Sequence, residues 1–172
     1  EKIVVSTFHS FGMKMLRMYA NFLGYESNFN IYDTDDQTKV VRNILKELGA
    51  TVQETPKKIV SLISKLKEDG VSPEDYEKTV PSFLENYKVI IETYKKYKIE
   101  LKKNNAMDFS DLLIFTNELL DNPEILEKVQ DRYRYVMVDE YQDTNNIQYQ
   151  IIKKIAKKHL NICVVGDEDQ SI

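Results

Sequence analysis

Tyr135-Val136-Met137-Val138-Asp139-Glu140-Tyr141-Gln142-Asp143-Thr144 is the stretch on which the reading of this chain turns. An apolar run of strand length leads directly into two adjacent carboxylates and a polar turn. The pattern returns as Ile162-Cys163-Val164-Val165-Gly166-Asp167-Glu168-Asp169-Gln170. Two buried strands that both end in acids set carboxylates along one edge of a sheet. In an open α/β sheet, ligands bind at that carboxyl edge. A carboxylate pair there can hold Mg²⁺ through oxygen ligands and orient or deprotonate a water.

Outward from this stretch, the chain alternates in character. Residues 3–8 read as a short buried strand, and a helix follows from Ser10 to Leu23 with Phe11, Met15, Met18 and Phe22 on one face. Gly24 closes it as a left-handed cap. A second helix begins near Asp33-Thr34, where Thr34 and Gln37 have capping-box spacing, and buries Val40, Val41, Ile44, Leu45 and Leu48. Pro56 opens a third helix with Ile59, Ile63 and Leu66 on its apolar face, and Pro73 opens a short fourth. The longest helical run, Ser82 to Lys103, repeats Phe83, Tyr87, Ile90, Tyr94, Tyr97 and Leu101 by fours and threes and so keeps one seam. Asp108 or Ser110 caps the next helix, and Pro123 opens another before the β signal resumes at 135–139. The order β-α, a long helical stretch, then β-α-β describes an α/β layer with an all-helical subdomain inserted at residues 30–106.

The 172 residues carry a formal charge of -4 and a pI near 5.3, so bulk charge announces no nucleic-acid partner. A local lysine patch can still bind phosphates on an acidic protein, and Lys57, Lys58, Lys65 and Lys67 gather on the third helix. The single Cys163, inside an apolar run, rules out an internal disulfide and fits a reducing compartment. There is no signal peptide or apolar run of membrane length. The chain starts almost inside a strand and ends just past Gln170, as expected of a piece of something larger.

Taken alone, Asp139 and Glu140 fit two descriptions. In a P-loop nucleotidase the acid after such a strand holds Mg²⁺ and a following glutamate polarises the attacking water; a solvated strand end looks the same. Thr7, His9 and Ser10 sit where strand turns to helix, a place that suits a phosphate or an ordinary cap. Gln170 either reports on a γ-phosphate or ends a loop. Lys65 and Lys67 suit phosphate contact or a solvated helix face. His159 reads as a last-turn residue on a helix dipole.

Together these residues resemble the superfamily 1A DNA helicases of the UvrD/Rep/PcrA type. Val5-Ser6-Thr7-Phe8-His9-Ser10-Phe11-Gly12 is similar to their motif Ib, and Val138-Asp139-Glu140-Tyr141-Gln142-Asp143-Thr144-Asn145 to motif II, the Walker B box. Val165-Gly166-Asp167-Glu168-Asp169-Gln170-Ser171-Ile172 resembles the first part of motif III. Asn28–Asp33 and Met107–Leu113 follow segments that flank the family's inserted 1B subdomain. The resemblance implies a partial RecA-like parallel sheet of the P-loop NTPase type, with 1–29 and 107–172 as domain 1A and 30–106 as 1B. The strand order would be 3–7, 135–139, 161–165.

It also implies ATP and Mg²⁺ as cofactors, with Asp139 on the metal, Glu140 activating water, Gln142 at the nucleotide and Gln170 coupling the γ-phosphate to DNA. Thr7, His9 and Ser10 would meet the single-stranded DNA backbone, and the segment around Lys65 and Lys67 the duplex ahead of the junction. The implied activity is 3′ to 5′ translocation on single-stranded DNA and separation of strands at single/double-strand junctions. A cytoplasmic, nucleoid-associated location and unidentified repair or replication partners accompany it.

No Gly-x-x-Gly-x-Gly-Lys-Ser/Thr loop occurs among the 172 residues, so by themselves they are expected to be inactive toward ATP. Two competing functions remain. A metal-dependent nuclease would use Asp139, Glu140, Asp143, Asp167 and Asp169 to hold two ions about 4 Å apart. A non-catalytic helical interaction module would rest on the seam of the longest helix.

Overall fold

The computed structural model describes residues 3–50, 54–80 and 85–167. The chain divides into two compact units, Gly24–Leu112 and Glu1–Leu23 with Leu113–Ile172. It is mixed α/β and mostly helical, with short parallel strand pairs.

In the 24–112 unit, β1 (Asn30–Tyr32) leads into α2 (Thr34–Glu47), α3 (Pro56–Glu68), α4 (Pro73–Thr79) and α5 (Glu85–Lys103). β2 (Ala106–Asp108) then returns to pair with β1 in parallel, in the register Asn30↔Ala106, Ile31↔Met107, Tyr32↔Asp108. Asn105, at φ 45°, makes the turn between α5 and β2. Its carbonyl accepts from Asn30 N and its side-chain oxygen from Glu26 N, both at 2.9 Å. An asparagine is among the few residues that tolerate this left-handed conformation.

The core of this unit is the meeting of three helices. Val41, Ile44 and Leu45 of α2, Ile59, Val60, Ile63 and Leu66 of α3, and Tyr94, Tyr97 and Leu101 of α5 are buried together with Ala106. Each aliphatic side chain of that size contributes roughly 1.5–3 kcal/mol when fully buried. The seam of α5 is thus buried at Ile90, Tyr94, Tyr97 and Leu101 but open at Tyr87, which stacks obliquely on Tyr76. Phe83 lies outside the described residues. The cap of α2 is Asp33, whose carboxylate accepts from Asp35 N and Asp36 N, rather than Thr34. Gln37 turns back to donate to the Tyr32 carbonyl.

In the other unit, α1 (Phe8–Tyr19) runs into a 3₁₀ turn (Ala20–Leu23). α6 (Phe109–Leu119) enters from the 24–112 unit and is followed by α7 (Pro123–Arg132), β3 (Val136–Val138), α8 (Asn146–Ala156) and β4 (Ile162–Val164). Met15, Leu16, Ile125, Val129, Val138, Ile151, Ile152 and Ile155 are buried. Lys154 ties α8 to the end of α6, donating to the Asn117 carbonyl at 2.8 Å and pairing with Asp121 at 2.5 Å. His159, beyond the end of α8, faces the Gln130 carbonyl of α7 at 3.1 Å. β3 and β4 are parallel, with Val136↔Ile162, Met137↔Cys163 and Val138↔Val164 in register.

Three expectations are corrected. Residues 3–7 are not a strand: Ile3 and Val5 are 93% and 89% exposed. A strand needs a neighbour for its ladder, and none among the described residues pairs with this run, so the three-strand order reduces to β3-β4. Cys163 is exposed rather than buried, because it pairs with Met137 on the open face of the sheet. On α1, Met15 and Leu16 are buried while Met18 faces outward, as does Phe22 in the 3₁₀ turn that follows. Among the described residues, no helix is long and apolar enough to cross a membrane.

Candidate functional site

The acids at the end of β3 are held by the crossing of two chain segments. Val165 N donates to the Val138 carbonyl at 2.8 Å, and Tyr141 N returns to the Val165 carbonyl at 2.9 Å. Between these two bonds the chain must reverse sharply, and Glu140 does so at φ 51°, ψ 44°. For a residue with a Cβ this left-handed conformation costs about 1–2 kcal/mol. Asp139 Oδ1 accepts from the Glu140 amide at 3.0 Å. Both side chains project into solvent, where a ligand can reach them. A 3₁₀ turn (Tyr141–Asp143) follows. Asn145 and Gln148 then form a reciprocal capping box that starts α8.

Gln142 joins the two acidic segments. Its Nε2 donates to Glu140 Oε2 at 2.6 Å, and its Oε1 accepts from the Asp167 amide at 3.1 Å. Gly166 makes room for this amide: a Cβ there would lie 2.7 Å from Gln142 Oε1 and 3.4 Å from two backbone nitrogens. Both ends of the Gln142 amide therefore have protein partners. Gln170, with Glu168 and Asp169, lies outside the described residues.

Thr7 is the N-cap of α1. Its hydroxyl accepts from Ser10 N at 3.2 Å and donates to Ser10 Oγ at 3.1 Å. His9 and Ser10 are half-buried in the first turn of that helix.

The two lysines of the other unit part company. Lys65 is exposed on α3, beside an open cleft of about 640 Å³ whose lining includes Thr34, Ser61, Ser64, Glu68 and Phe109. Lys67 is buried, and its ammonium lies 2.7 Å from both Asp108 Oδ2 and Asp111 Oδ1. A lysine closed in this way by two carboxylates has no face left for DNA, so the expected contact by Lys67 is withdrawn. The spacing Ile59, Ile63, Lys67 already put it on the buried face of α3.

Its partners form a reciprocal pair at the start of α6. Asp111 N donates to Asp108 Oδ1 at 2.9 Å and Asp108 N to Asp111 Oδ2 at 3.1 Å, the pattern of a capping box. Tyr97 adds its hydroxyl to Asp108 Oδ2 at 3.0 Å. Burial pushes the Asp108 carboxyl up, but Lys67, the Asp111 amide and Tyr97 together outweigh it and hold the group below its ordinary value. Asp111 goes the other way: burial, with the neighbouring Asp108 charge, prevails over Lys67 and pushes it up to about 6. The D-x-x-D spacing was the signal for this pair, and the lysine forty-odd residues away completes it.

Among the described residues no group of three or more His, Cys, Asp or Glu converges to hold a metal ion. Asp139, Glu140, Asp143 and Asp167 thus give the nuclease alternative no two-ion centre. The helical-module alternative gains nothing either, since the sheet edge does carry ordered acids.

The family model of the UvrD/REP helicase N-terminal domain matches residues 1–172. ATP-dependent DNA helicase PcrA of Bacillus subtilis (strain 168) is 40% identical over 174 residues, taking in 100% of this chain and 23% of that protein. The protein of the same name from Staphylococcus epidermidis (strain ATCC 12228 / FDA PCI 1200) is 41% identical over 172 residues, 99% of this chain and 23% of its own length. That of Staphylococcus aureus (strain NCTC 8325 / PS 47) is 40% identical, with 100% and 24% covered. The chain spans about a quarter of the length of these relatives.

Proposed function

The chain belongs to the UvrD/REP helicase N-terminal domain family, and from that premise we propose that it forms part of an ATP-dependent DNA helicase. The observation that carries the proposal is the exposed Asp139–Glu140 pair at the carboxyl end of β3, with Glu140 in the left-handed region and its carboxylate hydrogen-bonded by Gln142.

Asp139 is the residue that would hold Mg²⁺. It is exposed, and one of its oxygens is engaged by the Glu140 amide. Mg²⁺ ordinarily takes one or two carboxylates, waters and substrate phosphates rather than an all-protein cage, so an isolated pair of acids fits it. Bound there, the ion would neutralise charge on the β- and γ-phosphates of ATP. Glu140 takes the proton of the attacking water, and Gln142 keeps its carboxylate turned toward that position. Gln170 couples the γ-phosphate to the DNA-binding surface.

Thr7, His9 and Ser10 meet the backbone of single-stranded DNA at the start of α1, where the positive end of the helix dipole favours phosphate. Lys65 supplies a phosphate contact on the duplex side. In this reading residues 1–29 and 107–172 are part of a RecA-like domain 1A, and 30–106 is subdomain 1B. The longer protein translocates 3′ to 5′ and opens single/double-strand junctions, in the cytoplasm and with repair or replication proteins as partners. The 172 residues alone, without a phosphate-cradling loop, neither hydrolyse ATP nor bind it tightly; a micromolar Kd for Mg-ATP by calorimetry contradicts this.

The test is unwinding by the full-length protein. A duplex with a 3′ single-stranded tail is opened in the presence of ATP and Mg²⁺, while a 5′-tailed or blunt duplex is not. Equal opening of both tailed substrates overturns the polarity, and no ATP-dependent opening of either overturns the helicase reading.

A further inference from the structure

We propose that Gln142 is a positioning residue for Glu140, and that its amide links the reach of the Glu140 carboxylate to the exit of β4. The inference rests on the reading of Glu140 given above. Three observations carry it. The first is the double engagement of one side chain: Nε2 to Glu140 Oε2 at 2.6 Å, and Oε1 from the Asp167 amide at 3.1 Å. The orientation of the amide follows from its partners, since a carboxylate only accepts and a backbone N–H only donates.

The second is Gly166. A methyl group there would stand 2.7 Å from Gln142 Oε1, so the amide can keep its place only while position 166 lacks a side chain. The third is the state of Glu140. Its backbone is held in the left-handed region by bonds on either side, while its side chain reaches into solvent. A hydrogen bond from Gln142 fixes this carboxylate. A glutamate side chain left without it samples many rotamers, and a reacting group misplaced by about 1 Å costs on the order of 100-fold in rate. A shift of the 165–167 segment therefore reaches Glu140 through one side chain.

The experiment uses the full-length protein and four variants: Gln142→Ala, Gln142→Asn, Gly166→Ala and the double Gln142→Ala/Gly166→Ala. DNA-stimulated ATP hydrolysis gives kcat and KM, a fluorescent nucleotide gives affinity, and thermal unfolding reports on the fold. Gln142→Ala lowers kcat roughly 10- to 100-fold, with KM, nucleotide affinity and Tm close to wild type. Gln142→Asn keeps the amide but loses its reach, and shows the same kcat defect without a packing change. Gly166→Ala displaces the amide and also lowers kcat, yet adds nothing in the double variant, because its target is already gone.

A wild-type kcat in Gln142→Ala overturns the proposal. So do independent, multiplicative losses in the double variant, and so does a raised KM at unchanged kcat, which would make Gln142 a nucleotide contact. Glu140→Gln run alongside separates the two claims. If it turns over ATP normally, the reading of Glu140 fails and takes this inference with it. If it is inactive while Gln142→Ala is normal, only the positioning role falls.

Discussion

Lys67→Met removes a buried charge while keeping most of the side chain's length, and it isolates what the Lys67–Asp108–Asp111 cluster contributes. The ammonium is buried between two carboxylates at 2.7 Å each. Without it, Asp108 and Asp111 face each other with no counter-charge, held only by two backbone amides and the Tyr97 hydroxyl. Removing one partner of a buried pair costs about 3–5 kcal/mol. Since 1.4 kcal/mol is a factor of ten, amide hydrogen exchange through opening of the 24–112 unit should accelerate by roughly two to four orders of magnitude.

The pH dependence identifies the cause. Asp111 sits at about 6, above its ordinary value, so the native state takes up a proton before the unfolded chain does. Its contribution to stability grows as pH falls through 6 toward 4. Asp108 is held low, and its contribution is lost only as pH falls below the ordinary carboxylate range. In Lys67→Met both carboxyls lose their cation and protonate more readily, so the deficit should shrink between pH 7.5 and pH 5. Exchange mass spectrometry of full-length wild type and variant, following peptides from α3 and α6, measures both effects. A variant that exchanges within a few-fold of wild type at pH 7.5, or a deficit that does not change with pH, refutes this electrostatic account.

Lys65→Ala should leave exchange protection unchanged but weaken DNA binding, lowering the slope of log K against log salt by about 1; an unchanged slope removes Lys65 from the phosphate contacts. Thr7→Ala should cost about 1 kcal/mol through loss of the α1 cap, and Thr7→Ser should recover it. A thermal shift that serine does not reverse would show that the hydroxyl is not what matters for stability.

Local physics was largely legible in the sequence. Pro56, Pro73 and Pro123 each open a helix at its first turn, and the apolar spacing of α2 and α5 marks the buried face. The acids after the apolar run at 136–138 stand at the end of a strand, as their order implied. What escaped depends on groups far apart in the chain. Residues 3–7 have strand composition, but pairing is decided by a neighbour, and the local pattern cannot supply one. β1 and β2 are three residues each, too short for alternation to register, and α2 to α5 lie between them in the chain. Lys67 reads as part of a solvated lysine cluster until Asp108 and Asp111 are placed beside it. Gln142 reads as a turn residue and, by the resemblance, a nucleotide contact; its bond to the Asp167 amide, 25 positions on, has no local signal.

Glu140 is proposed above as the base of an ATP-hydrolysing site whose metal ligand is Asp139. The measurement that reaches it most directly is single-turnover hydrolysis by full-length Glu140→Gln, with nucleotide binding followed in the same preparation. Glutamine keeps the shape of the side chain but cannot take a proton, and it leaves Asp139 in place. Mg-ATP affinity near wild type and a hydrolysis rate reduced by at least 100-fold are expected, within the range by which a positioned general base accelerates reaction. Hydrolysis at the wild-type rate in a variant that binds Mg-ATP normally would contradict it.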